Sequence, residues 1–261
     1  MPPSRRPQRV PTDLNLLADL LQDWADWLPG ADHRAEVLPG WDVATLAAHL
    51  VVVGEGVVDG LGRPGRPPAL PALTYVSGYA AAAAEIDELA RRRAAEIGTE
   101  LAGALTAAAE RVRQAADGPH PAVVAGPRGP LAVADWVATR LLDAVVHTDD
   151  LHRAVPSAEP PPVPRPALAQ AVRSLLGWLA AEHPGQTLEV RVPPHGAVQC
   201  GVEGSTLAHT RGTPPNVVET DPVTFLRLCT GRLGWQDARA AGRVSASGHR
   251  ADLSGWLPLL S

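Results

Sequence analysis

The chain has 261 residues, 45% of them hydrophobic and 20% charged, with a formal net charge of −5. That length suits one large domain or two modest ones, and the acidic balance argues against nucleic-acid binding, which needs a basic face for phosphates. All 23 basic residues are arginine, which excludes a lysine Schiff base, a P-loop lysine and a kinase-type lysine; the bias reads as high-GC bacterial coding.

Residues 1–11 carry arginines with no apolar run behind them and read as a disordered tail, not a signal peptide. From Thr12 to Leu28 the apolar residues Leu14, Leu17, Leu21, Trp24 and Leu28 recur at helical spacing, and Pro29-Gly30 stops that helix. A second helix opens at Trp41-Asp42, with Asp42 as N-cap and Val43, Leu46, Leu50 and Val53 on one face. The longest charge-free apolar stretch, around Leu50–Val53, is too short to span a membrane. After a Gly/Pro-rich loop from Gly60 to Pro71, helices are predicted over Ala80–Ala95 and Thr99–Ala116, the latter with Thr99 as cap. Val123-Val124 and Leu131 flank Gly126-Pro127-Arg128-Gly129 as a short hairpin, and a last helix runs from Val133 to Ala154. Residues 12–155 thus read as an all-α four-helix bundle.

Six prolines between Val155 and Pro166 predict a stiff, extended linker over 156–166. Beyond it, 167–261 mixes types: a helix over Ala167–Ala181 and strands at Thr187–Val192, Ala197–Val202 and Thr206–Thr210. Then come a helix opened by Asp221-Pro222 through Cys229, a strand over Arg243–Ser247 and a final helix over Ala251–Leu260. This is an α+β pattern. Cys200 and Cys229 are too few for a disulfide framework and point to the reducing cytoplasm.

Three residues could carry chemistry in the bundle. Asp143 and His147, four apart, project from one helical face, and His49 lies beside the core stripe of the second helix. Two imidazoles and a carboxylate from facing helices can supply three ligands to a divalent metal and leave a position open. The same spacing also suits a plain helix salt bridge with a hydrogen-bonded core histidine.

The run Gly40-Trp41-Asp42-Val43-Ala44-Thr45-Leu46-Ala47-Ala48-His49-Leu50 resembles the helix-2 motif of the mycothiol-dependent maleylpyruvate isomerase family, within the wider DinB-like group of metal-binding bundles. Thr139–Leu151 resembles that family's last-helix motif. The resemblance implies metal ligands at His49, Asp143 and His147, with Asp143 standing where the family usually has Glu. It also implies a divalent metal, zinc by its donor set, and mycothiol as the thiol cofactor of an isomerase or S-transferase. In such an isomerase thiolate adds to a cis double bond, the single bond rotates, and elimination returns the trans product. The stretches Glu219–Trp235 and Gly242–Gly248 resemble the sterol-carrier-like domain that follows this bundle in many members. Arg232 and then Arg243 are the candidates for holding a substrate carboxylate bidentately. The partner implied is a small electrophile. The alternative is a sterol-carrier-like protein that binds an apolar ligand and whose metal site has decayed.

Overall fold

The computed structural model describes residues 9–201 and 216–260. It divides into two compact units, residues 1–167 and 168–261. The strand expected over Thr206–Thr210 lies outside the described residues.

In the first unit α1 spans Arg9–Trp27 and so takes in three residues of the expected tail. Pro11 is tolerated there because N–H groups of a first helical turn have no intrahelical acceptor to lose. The strands β1 (Glu36–Leu38) and β2 (Trp41–Asp42) pair as an antiparallel hairpin around Pro39-Gly40, where Gly40 takes φ +77°. Helix α2 (Val43–Leu61) follows at once, and the Asp42 carboxylate accepts from the Thr45 amide at 2.8 Å, as a cap should. Two short helices, α3 (Ala72–Val76) and α4 (Gly78–Ala81), precede α5 (Ala83–Ile97) and α6 (Leu101–Ala116). Thr99 falls in a 3-10 turn and bonds Glu100 rather than capping α6. The expected hairpin forms from β3 (Val123–Gly126) and β4 (Gly129–Ala132), and α7 (Val133–Ala154) ends the unit.

The bundle consists of α1, α2, α6 and α7, with α1 and α2 each packing on both α6 and α7. Leu14, Leu17, Leu21 and Trp24 are buried on one face of α1 and Val43, Leu46, Leu50 and Val53 on one face of α2, as their spacing predicts. Helix α2 is long and apolar enough to cross a membrane by composition, yet most of it is buried inside the bundle. Helix α5 lies outside, with Ala90 its buried residue, and is tied on where Arg93 and Arg111 both meet Glu55 at 3.0 and 3.1 Å. The Pro-rich segment belongs to this unit. Its start forms a 3-10 turn at Pro156–Ala158. Trp27 Nε1 donates to the Ala158 carbonyl and His152 Nε2 to that of Pro161.

In the second unit α8 (Arg165–Glu182) is followed by β5 (Leu188–Val192), β6 (Gly196–Cys200), β7 (Val217–Thr220), α9 (Pro222–Cys229), α10 (Trp235–Ala240) and β8 (Val244–Ser247). The sheet order is β6-β5-β7-β8, with β5 and β7 parallel and the other pairs antiparallel. Asp221 caps α9 through the Thr224 amide at 2.9 Å, as expected. The helix expected over Ala251–Leu260 does not form. The Asp252 carboxylate accepts from the Ser254 amide, a local bond that competes with helix, and Pro258 brings no N–H. The Leu259 and Leu260 amides instead donate to the Cys229 carbonyl. Cys200 and Cys229 are buried free thiols, and burial pushes Cys200 up to about 11, so neither is a ready nucleophile.

One buried polar bond joins the bundle's first and last helices: Trp24 Nε1 donates to Thr148 Oγ1 at 2.9 Å, with both residues fully buried. Thr148→Val keeps the shape and strands the indole N–H. The expected cost is about 1–3 kcal/mol of bundle stability, read as a lower midpoint in urea unfolding of the full chain.

Candidate metal centre

Helix α7 presents a polar stripe to the inside of the bundle. Trp136, Arg140, Asp143, His147 and Asp150 follow one another at intervals of four and three, the spacing that keeps residues on one helical face. Helix α2 faces this stripe with His49.

His49, Asp143 and His147 come together, their ligand atoms all within 4.8 Å of one another. His49 Nε2 stands 3.3 Å from Asp143 Oδ2, and His147 Nε2 stands 3.2 Å from Asp143 Oδ1. These separations suit a metal. Ligand atoms about 2.0–2.1 Å from a tetrahedral ion lie roughly 3.3 Å apart along the edges of the tetrahedron. The shorter Asp side chain therefore reaches both imidazoles without help from an extra methylene. Two imidazoles and one carboxylate form the donor set of an open zinc-type site.

Without a metal, charge is stabilised by the cluster itself. Burial opposes ionisation of Asp143, but the charge of His49 and hydrogen bonds from His147 and His49 outweigh it and hold the carboxyl well below its usual range. Burial likewise opposes protonation of His147, and its hydrogen bonds to Asp143 and Asp150 override that and raise it to about 9.

Asp150 is the neighbour of the cluster that the sequence pattern does not single out. His147 Nδ1–H donates to Asp150 Oδ2 at 3.1 Å, and Asp150 itself is buried and paired with Arg153. A carboxylate on the far ring nitrogen fixes the tautomer, turning Nε2 toward the site. In the sequence, His147-Thr148-Asp149-Asp150 looks like a polar helix end; the i,i+3 interval from His147 was the available signal.

Trp41 forms one wall. Its ring centroid is 5.2 Å from that of His49 and 6.2 Å from that of His147, and its Nε1 donates to Asp87 at 2.6 Å. On another side Tyr79 lies within electrostatic reach of both the cluster and two arginines. Burial raises its phenol, Arg140 opposes this, Asp143 and Tyr75 add to it, Arg128 opposes it again, and the net shift is upward. Arg232 and Arg243 belong to the second unit. There Arg232 Nη1 donates to the Thr230 carbonyl, and Arg243 stands near the Asp221 cap, whose carboxyl it helps to lower.

A family model described as the mycothiol maleylpyruvate isomerase N-terminal domain matches residues 14–152, and one described as bacterial SCP ortholog matches 164–259. A crystal structure of the mycothiol-dependent maleylpyruvate isomerase is similar at 14% identity, over 91% of this chain and 92% of that one, with a TM-score of 0.49. A histidine-to-alanine mutant of that enzyme is similar at 15% identity with the same coverage and a TM-score of 0.46. No curated protein matches the chain.

The cluster has a pH signature in metal-free protein. A His147 proton held to about 9 when folded, against 6.5 for the ordinary side chain, stabilises the fold fully below pH 6.5. That contribution is lost as the pH rises from 6.5 through 9. NMR titration of the His147 ring is expected to give a midpoint near 9 in the wild type and a lower one in Asp150→Asn.

Proposed function

Because the chain belongs to the mycothiol maleylpyruvate isomerase family, we propose that it is a metal-dependent enzyme using mycothiol to isomerise a small electrophile. His49, Asp143 and His147 would hold the metal, zinc by donor chemistry. The observation that carries this reading is the convergence of two Nε2 atoms on the two oxygens of one carboxylate, at 3.3 and 3.2 Å. When bound, the ion would supply Lewis acidity that favours the thiolate form of a thiol at neutral pH.

The rest of the work falls to the protein's own groups. Asp150 keeps the proton of His147 on Nδ1, so Nε2 offers its lone pair inward. The Trp41 indole covers both imidazoles on one side and limits water there. In the substrate, a carbon–sulfur bond would form as the π pair of the cis double bond moves onto the conjugated carbonyl, the resulting carbon–carbon single bond would rotate, and the pair would return as the carbon–sulfur bond breaks, releasing the thiolate and the trans product. S-transfer would stop at the adduct, before elimination.

The rival reading, an apolar-ligand carrier with a decayed metal site, draws on the substitution of Asp for Glu and on the match of residues 164–259 to bacterial SCP ortholog, whereas the 3.3 and 3.2 Å separations support metal binding.

Metal analysis separates the two. Purified wild type is expected to hold about one zinc per chain and His49→Ala well under a tenth of that; metal-free wild type after zinc reconstitution would overturn the enzyme reading. Asp150→Asn is expected to weaken zinc binding by about 10–100-fold. Asp143→Glu, with an added methylene in a cluster that already closes, is expected to bind zinc no more tightly than the wild type. Mycothiol-dependent isomerisation of maleylpyruvate should fall in step with metal content across these variants.

A further inference from the structure

Beside the ligand cluster, in the same unit, stand two arginines, Arg128 and Arg140. Arg128 comes from the tip of the β3–β4 hairpin and Arg140 from α7, one turn before Asp143. Among the described residues neither forms an ion pair within 4 Å, and the Nε of each is buried without a hydrogen-bond partner. They share one aromatic floor. The Arg128 guanidinium lies 4.1 Å over the Tyr79 ring and 5.9 Å from that of Tyr75. Arg140 lies 4.4 Å over Trp136 and 5.9 Å from Tyr79. The Tyr75 hydroxyl is a third buried polar atom without a partner in the same cluster.

This arrangement is built rather than incidental. Gly78 leaves room for Arg128, whose Cδ a Cβ there would meet at 2.8 Å. The hairpin that carries Arg128 is held on its outer edge by the loop before α3, where Gly65 donates to Val123 and Leu70 to Pro130. Each side chain is only half-buried, but its Nε–H is buried and unpaired, which is costly to leave unsatisfied, and a planar anion is a group whose geometry satisfies it together with a neighbouring Nη–H.

We propose that Arg128 and Arg140, with the Tyr75 hydroxyl and the Tyr79 and Trp136 rings, form a binding subsite for a carboxylate next to the His49–Asp143–His147 cluster. Two guanidiniums over flat rings accept a carboxylate conjugated to a double bond, lying against the aromatic floor. The inference rests on the preceding reading in one respect, that the adjoining cluster is the reaction centre for the bound molecule; the subsite itself needs no metal. Arg128 and Arg140 then act as specificity determinants, selecting acidic electrophiles over neutral ones.

The test uses the full-length protein stripped of metal with a chelator, so that no carboxylate can bind an ion. Calorimetric titration with maleate is expected to show saturable binding of one maleate per chain, with dimethyl maleate silent and sulfate markedly weaker. Arg128→Gln and Arg140→Gln are each expected to weaken maleate by at least about tenfold, and Arg140→Lys to weaken it less. Wild type that does not bind maleate, glutamine variants that bind it as the wild type does, or sulfate binding as tightly as maleate would each overturn the proposal. If a glutamine variant fails to fold by circular dichroism, the Nε–H signals of Arg128 and Arg140 in nitrogen-15 spectra of the wild type decide instead. They should move on adding maleate, and static signals refute the subsite. Metal content, measured separately, reports on the earlier reading, so a chain that takes maleate but no zinc loses the isomerase role and keeps the subsite.

Discussion

A carboxylate shared between two imidazoles inside an apolar helical bundle is the constraint around which the first unit is arranged. Asp143 belongs to α7 and His49 to α2, so their contact requires those helices to lie against each other at one level along their length. Burial alone would neutralise the Asp143 carboxyl. Here it is overcome by pairing, and the pairing extends outward through His147 to Asp150 and Arg153. Each member stabilises the next member's charge, so the chain of contacts stands or falls as a network. On the same helices Leu46 and Leu50 of α2 and Leu142 and Val146 of α7 are buried, so the network stands among apolar neighbours in the chain.

The stripe on α7 shows how one helix can serve both packing and chemistry. Its four-three intervals are those of a core face, and Trp136 at its start is buried as a core residue would be. From Arg140 onward the same face turns polar. A bundle tolerates this only where the opposing surfaces are also polar or aromatic, and Trp41, His49 and Tyr79 supply that surface. The β1–β2 hairpin and the short helices before α5 are therefore structural means of bringing these rings to the stripe.

What was legible in the sequence divides along the same line. His49, Asp143 and His147 stood out because each is a titratable residue set in an apolar periodic helix, and the helices themselves are long enough for periodicity to be plain. Both caps, Asp42 and Asp221, could be read from local chemistry. Several short elements could not: β1, β2, α3, α4, β7 and α10 carry no repeat or turn signal that would reveal them, whereas the equally short β3–β4 hairpin showed through its Gly-Pro-Arg-Gly turn. Asp150 hid in a run of polar residues at a helix end. Arg128, Tyr75 and Tyr79 come from a hairpin tip and two helical turns that only the folded chain gathers. The error over Ala251–Leu260 has the opposite cause, a helical spacing overridden by an aspartate turn and a proline.

Gly60 illustrates how far the surroundings of such a site extend. It sits near the end of α2 and packs so closely on Trp136 that a Cβ there would stand 2.4 Å from the indole ring. The indole carries Arg140 on its face. A single methyl at residue 60 would therefore tilt the indole and with it the guanidinium, altering the local potential while every contacting side chain kept its identity. Divergence within such a scaffold can thus proceed through backbone-lining positions that no inventory of ligand contacts would include.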